Sequence, residues 1–164
     1  MVTNELLRGV IFDGLLAAVA AIGFAVISNP SWKAVFVSAL LSAIGHSLRY
    51  FLMKSGIEIS VATFVAATTI GLLSVLFARL IHCPAEVFSF PSLLPMIPGM
   101  FAYKAILSAM KFMQSTHHEM DKFYMMDFFR NGMTTVFIML ALVIGVSLPV
   151  LLFPRTSFSV TRKY

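Results

Sequence analysis

The sequence is poor in charged residues and in cysteine, and it lacks the short motifs that point to catalysis. Only 12% of its 164 residues are charged, about half the fraction found in a soluble domain. A single cysteine excludes an intrachain disulfide. We find no glycine-rich phosphate loop, nucleophile elbow, CxxC pair or zinc-protease motif. These absences argue against an enzyme, and we expect no cofactor and no bound metal.

The abundant residues are apolar, and their arrangement predicts a membrane protein. Hydrophobic residues make up 59% of the chain, and the mean hydropathy is +0.92. A membrane-spanning helix needs about 20 mostly apolar residues. The sequence therefore predicts an all-α polytopic transmembrane bundle of about five helices, with residues 1–164 as a single transmembrane domain and no room for a soluble catalytic domain. The expected spans are residues 10–27, 32–53, 59–81, 92–113 and 124–153.

The net charge of +5 does not indicate nucleic-acid binding. Nucleic-acid recognition needs a clustered basic surface, whereas these basic residues are spread over helix ends, short loops and the tail. They favour contact with anionic lipid headgroups instead. Because they divide equally between the two expected sides, the positive-inside rule leaves the orientation open.

The fourth span contains a break at Pro95, Pro98 and Gly99. Each proline removes a backbone donor and disfavours a regular helix. In hydrocarbon the freed carbonyl groups need other partners, and transporters use such broken helices as binding sites. We interpret this break as part of a substrate pathway, with a structural kink or a re-entrant segment as the alternative.

Tyr103 and Lys104 follow the break within the same span. A lysine near the bilayer centre costs about 2.5 kcal/mol or more. Lys104 is therefore expected to face a cavity or a partner chain, or else to extend to the lipid headgroups. We include both residues in the substrate pathway.

The second span carries a polar stripe. Spacings of three and four place Ser38, Ser42, His46 and Arg49 on one helix face. His46 can carry a proton near neutral pH, and Arg49 can bind a carboxylate by two parallel hydrogen bonds. Helix packing for His46 and interfacial anchoring for Arg49 are the alternatives. Asp13, the acid inside the first span, could pair with one of these cations or take part in ion coupling.

Two further features favour structural roles. Thr63, Ala67 and Gly71 form a track of small residues that lets helices approach closely. The stretch His117-His118-Glu119 is expected to be a solvated loop, because adjacent residues on a helix diverge too far to share a metal.

Several motifs carry a family resemblance over most of the chain. Their order and spacing resemble the small, YjjB-like subunit of the threonine/serine exporter family. Lys104, directly after Tyr103, departs from the pattern. The motifs are Ile44-Gly45-His46 with Arg49, Ser55-Gly56, Thr63-Phe64, Pro84, and Pro95-Met96-Ile97-Pro98-Gly99 with Ala102-Tyr103.

This resemblance implies an export permease of two different subunits in the bacterial inner membrane. The larger, YjjP-like partner would supply a soluble amino-terminal domain and its own membrane helices. Two five-helix halves would lie in opposite orientations, as in many inverted-repeat transporters. We therefore expect a hetero-oligomer that also contains more than one copy of this chain, and we expect transport to need the larger partner.

The candidate charges favour a small carboxylate as substrate. The charged residues expected at membrane depth are one acid, Asp13, and three basic residues, His46, Arg49 and Lys104. Positive groups near a broken helix suit carboxylates. The resemblance implies succinate export for the two-chain form of the family and threonine or serine export for the fused form, and these charges make succinate or a related C4-dicarboxylate the leading expectation. Threonine or serine is the alternative, since an amino acid also brings an ammonium group that needs an acidic or carbonyl partner. A non-transporting scaffold for the larger subunit and a channel are the other hypotheses.

Overall fold

The computed structural model of the protein describes residues 2–115 and 118–153, and the regular structure in these ranges is helical. Six α-helices and one short 3-10 helix occur in this described part of the chain. In order, they are α1 (Val2–Ile27), α2 (Trp32–Lys54), α3 (Ile59–Ile81), α4 (Glu86–Leu93), the 3-10 helix (Leu94–Met96), α5 (Gly99–Gln114) and α6 (His118–Leu152).

The helix lengths confirm a polytopic helical fold with a broken fourth span. Four of the described helices, α1, α2, α3 and α6, are long and apolar enough to cross a membrane. The segment from α4 to α5 makes a fifth if it counts as one broken span. The break lies at the predicted place. α4 is followed directly by the 3-10 helix, which ends at Met96, and α5 starts at Gly99.

Three helices begin earlier than the apolar stretches suggest. α1 starts at Val2 instead of residue 10, and α6 at His118 instead of residue 124. Hydropathy detects only the part of a helix that suits hydrocarbon, whereas charged residues readily extend a helix beyond it. The solvated loop expected around His118 is therefore wrong there, and His117 lies outside the described residues. α4 likewise begins at Glu86, in the stretch between the third and fourth spans expected from the sequence.

Contacts divide the chain into two compact units. The described residues of the first unit are 2–96 and 141–153, and those of the second are 97–115 and 118–140. The single transmembrane domain expected from the sequence stays a prediction.

Within the first unit, α2 packs against α1, α3 and α4. Its apolar contact face includes Ala34, Val35 and Leu41, all buried. The buried face of α3 is made mostly of small side chains, and Gly71 lies against Val146 and Pro149 of α6. The small-residue track is thus confirmed as a packing surface.

The second unit contains α5 and residues 118–140 of α6. The two helices are joined by residues 115–117, and the Lys111 ammonium lies 5.9 Å from the centroid of the Tyr124 ring. A cavity of about 230 Å³ between them is lined by apolar side chains, among them Phe112, Met125 and Phe128. The pairing is therefore a helical hairpin.

The turn between α3 and α4 holds Cys83, and its environment predicts slow alkylation. Partial burial raises the pKa of the Cys83 thiol, so less of it is thiolate at neutral pH. We expect maleimide to label Cys83 more slowly than a free cysteine, with the rate profile displaced to higher pH. Labelling of the purified protein across a pH series, with Cys83→Ser as background, measures this. A rate profile identical to that of free cysteine would contradict it.

Candidate functional site

The polar face of α2 forms hydrogen bonds with α1. Ser42 Oγ donates to the Ala17 carbonyl at 3.0 Å, and Ser47 Oγ donates to the Val10 carbonyl at 3.0 Å. Gly14 lets the helices approach, because a Cβ there would lie 3.1 Å from the Ala43 carbonyl oxygen. Both hydroxyl groups bridge the two helices within one turn of Asp13. The register of α1 on α2 is therefore defined at the level of the charged residues.

This register brings Asp13 and His46 together. Nδ1 of His46 lies 3.1 Å from Oδ2 of Asp13. The His46 side chain is 14% exposed and that of Asp13 is 38% exposed. A carboxylate at Nδ1 favours a proton on that nitrogen and leaves Nε2 as the atom that gains or loses the next proton.

The second ring nitrogen of His46 is unusual. Among the residues that the structure describes, Nε2 is buried and has no hydrogen-bond partner, although the Pro95 backbone carbonyl lies close to the ring. A buried polar atom without a partner is costly. A ligand group that hydrogen-bonds to Nε2 would therefore be stabilised at this position.

Arg49 reaches the end of the 3-10 helix. Its Nη1 donates to the Met96 carbonyl at 3.2 Å, and Met96 is 1% exposed. In a continuous helix this carbonyl would accept from the N–H group four residues later, but the chain leaves helical geometry at Pro98, where ψ is 54°. Arg49 therefore satisfies a buried carbonyl that the break sets free.

The cluster joins opposite charges with backbone dipoles. Asp13 attracts both His46 and Arg49, and the Met96 contact occupies one of the five N–H donors of the guanidinium. The remaining donors can bind a second acceptor, and a carboxylate fits their planar geometry. We define Asp13, His46, Arg49 and the Met96 carbonyl as the charged cluster.

The other predicted site residues are placed as follows. Pro95 belongs to the 3-10 helix of the first unit. The remaining four belong to the second unit, where Pro98 caps α5 and Gly99 begins it. Tyr103 is 60% exposed and Lys104 is exposed as well. Their roles in a substrate pathway stay predictions.

The sequence did not identify Met96 as a member of the cluster. The two prolines do indicate that carbonyl groups near the break lack a backbone donor. Only the fold shows which side chain satisfies one of these carbonyl groups. It also did not indicate a cavity of about 520 Å³ in the first unit, between α4 and the end of α6. That cavity is mostly apolar, and Glu86, Ser89 and Ser147 are its polar lining residues.

The described residues offer no group of three His, Cys, Asp or Glu side chains that could hold a metal ion. One family model matches the chain, over residues 13–152, and its description is "Threonine/Serine exporter, ThrE". The matched range contains the whole charged cluster. No solved structure matches the chain.

Proposed function

Because the chain belongs to the threonine/serine exporter family, we propose that it is the small membrane subunit of a two-component export permease. Family membership and its apolar helices make it a multi-pass membrane protein of exporter type. We place it in the bacterial inner membrane. The charged cluster carries the proposal, since a guanidinium held at a broken helix inside a membrane protein can bind a carboxylate substrate.

The composition of the charged cluster supports succinate or a related C4-dicarboxylate as substrate. Arg49 can bind one carboxylate with its remaining donors, and Nε2 of His46 can donate to a carboxylate when it is protonated. Asp13 already accepts from His46. An ammonium group from an amino acid would therefore have to share this carboxylate with His46.

Threonine or serine export is the second candidate, and one observation favours it. The Met96 carbonyl accepts a hydrogen bond from Arg49, which is also the side chain that would bind a substrate carboxylate. If Arg49 turned to the carboxylate, this carbonyl could accept from the substrate ammonium instead. If Arg49 turned away in this manner, a dicarboxylate would leave that carbonyl without a donor, which disfavours it by about 1–3 kcal/mol.

The larger subunit and a coupled proton complete the proposal. The resemblance to the small subunit supports a partner with a soluble amino-terminal domain and an inverted set of helices. We assign the exchangeable proton to the pair formed by Asp13 and His46, whose 3.1 Å contact lies inside a membrane helix pair. Charged residues in such places commonly serve proton relays.

A transport assay with both subunits tests these assignments. Cells or proteoliposomes carrying both chains are loaded with labelled succinate or labelled threonine, and efflux is followed with and without a proton gradient. We expect succinate to leave at least about tenfold faster when both chains are present than with either alone. Faster efflux of threonine would favour the second candidate, and efflux indifferent to the proton gradient would indicate a channel.

His46→Gln separates transport from scaffolding within the same assay. We expect this variant to lose any dependence of efflux on pH that arises from protonation of His46, since glutamine does not titrate. The control is His82→Asn, because His82 is exposed at the end of α3 and its left-handed conformation suits asparagine. If His46→Gln and Arg49→Ala both export at the wild-type rate, the chain is a scaffold for its partner.

A further inference from the structure

The helix α6 is much longer than the hydrocarbon layer requires. Its 35 residues correspond to about 52 Å at 1.5 Å per residue, whereas the hydrocarbon core is about 30 Å thick. Its Asp, Glu, Lys and Arg residues all lie between His118 and Arg130, and none occurs from Asn131 to Leu152. Residues 131–152 alone span about 33 Å and suffice to cross the hydrocarbon, so we assign residues 118–130 to the region beyond it. We call residues 118–130 the α6 extension.

The α6 extension exposes large apolar side chains that a helix in water would bury against its neighbours. Phe123, Met126 and Phe129 are exposed by 54%, 68% and 57%. In contrast, the acidic residues Asp121 and Asp127 are half-buried. Such a surface is unfavourable in water, because large apolar side chains face outward.

Among the charged side chains of this hairpin whose exposure the structure describes, the exposed ones are basic. Lys122 and Arg130 on the α6 extension are exposed, and so are Lys104 and Lys111 on α5. The Lys111 ammonium lies near the Tyr124 ring, which keeps it on the hairpin surface. The outer face of the second unit therefore combines aromatic and methionine side chains with positive charge.

These two properties identify the kind of partner. A second copy of the chain would present the same basic groups, so that like charges would oppose this contact. The hydrocarbon itself does not suit lysine or arginine. The boundary between acyl chains and anionic headgroups fits both properties, since aromatic rings settle there and basic residues attract anionic lipids.

We propose that the hairpin of α5 and the α6 extension binds anionic phospholipid headgroups through Lys111, Lys122 and Arg130. Phe123, Met126 and Phe129 lie at the acyl boundary beside them. The inference is independent of the transported substrate and of the charged cluster. It rests on the exposure and the charge of described residues in the second unit.

Lipid titration of the purified protein tests the proposal. Native mass spectrometry counts bound lipids as phosphatidylglycerol or phosphatidylcholine is added to the wild-type chain in detergent. We expect at least about tenfold tighter binding of phosphatidylglycerol, since each basic residue near an anionic surface contributes about 1 kcal/mol. Inorganic phosphate is titrated in parallel, and competition by it at millimolar levels would indicate a site for free phosphate. Equal affinity for both lipids would overturn the proposal.

A matched pair of triple variants locates the binding surface. The test variant carries Lys111→Gln, Lys122→Gln and Arg130→Gln. The control carries Lys33→Gln, Lys54→Gln and Arg79→Gln, which removes the same charge from exposed positions of the first unit. We expect a loss of phosphatidylglycerol affinity of at least about tenfold in the test variant and a smaller loss in the control.

Two results of this comparison would refute the assignment. An equal loss in both variants would mean that net charge alone attracts the lipid. Unchanged lipid binding in the test variant, together with lost association of a co-expressed larger subunit, would assign the surface to a protein partner. Size-exclusion chromatography and circular dichroism verify that both variants are folded. The comparison of the two lipids on the wild-type chain does not depend on either variant.

Discussion

Replacing Arg49 with alanine should reduce efflux by at least about tenfold, even when the protein reaches the membrane in normal amounts. The substitution leaves the Met96 carbonyl buried without its donor, and hydrogen bonds to charged groups contribute about 1.5–3 kcal/mol. It also removes the guanidinium that we assign to the substrate carboxylate. Initial efflux rates from cells with equal membrane levels of both subunits measure the loss.

Two companion variants separate the roles of Arg49. Arg49→Lys keeps the charge but not the planar fork, so we expect it to recover only part of the rate. Arg79→Ala removes an exposed arginine from α3 and should export normally. If Arg49→Ala exports as fast as Arg79→Ala, Arg49 has no part in the substrate pathway.

The polar face of α2 was predictable because helix periodicity fixes it. Ser38 and Ser42 are fully buried, as residues on a stripe that faces the protein interior should be. The pairing of Asp13 was not predictable to the same degree. It depends on the register of α1 against α2, which Gly14 and the bonds of Ser42 and Ser47 determine in three dimensions.

The break in the fourth span was also predictable, since proline removes donors wherever it occurs. Its internal form was not. The sequence does not reveal that Leu94–Met96 tightens into a 3-10 helix or that Arg49 reaches its last carbonyl. Such a contact joins residues far apart in the chain, and hydropathy and helix periodicity contain only local information.

The full lengths of the first and last helices were not predictable for a related reason, and the span bounds themselves stay predictions. Apolar content marks the hydrocarbon layer, whereas α1 and α6 continue through charged residues outside it. This continuation matters for function, because it creates the α6 extension. If residues 118–123 are interpreted as a loop, the first part of the surface that we assign to anionic lipids is no longer recognised as helix.

Replacing Gly71 with leucine should have the largest effect on the fold. A Cβ at this position would lie 2.9 Å from the Val146 carbonyl oxygen and 3.0 Å from Cγ of Pro149. Backbone atoms and a proline ring inside a helix cannot turn aside as a flexible side chain can. α3 and α6 would have to separate, and overpacking of this kind costs about 1–3 kcal/mol or more.

Gly23→Leu is the matched control, because nothing lies within 4 Å of a Cβ built at Gly23 in α1. Both changes replace glycine by leucine inside a helix, so both gain helix propensity, by somewhat less than 1 kcal/mol. Only Gly71→Leu also introduces a steric clash between two helices, α3 and α6. We therefore expect a lower midpoint of thermal unfolding in detergent for Gly71→Leu, and an unchanged or higher one for Gly23→Leu. Equal midpoints for the two variants would show that the close approach of α3 to α6 contributes nothing to stability.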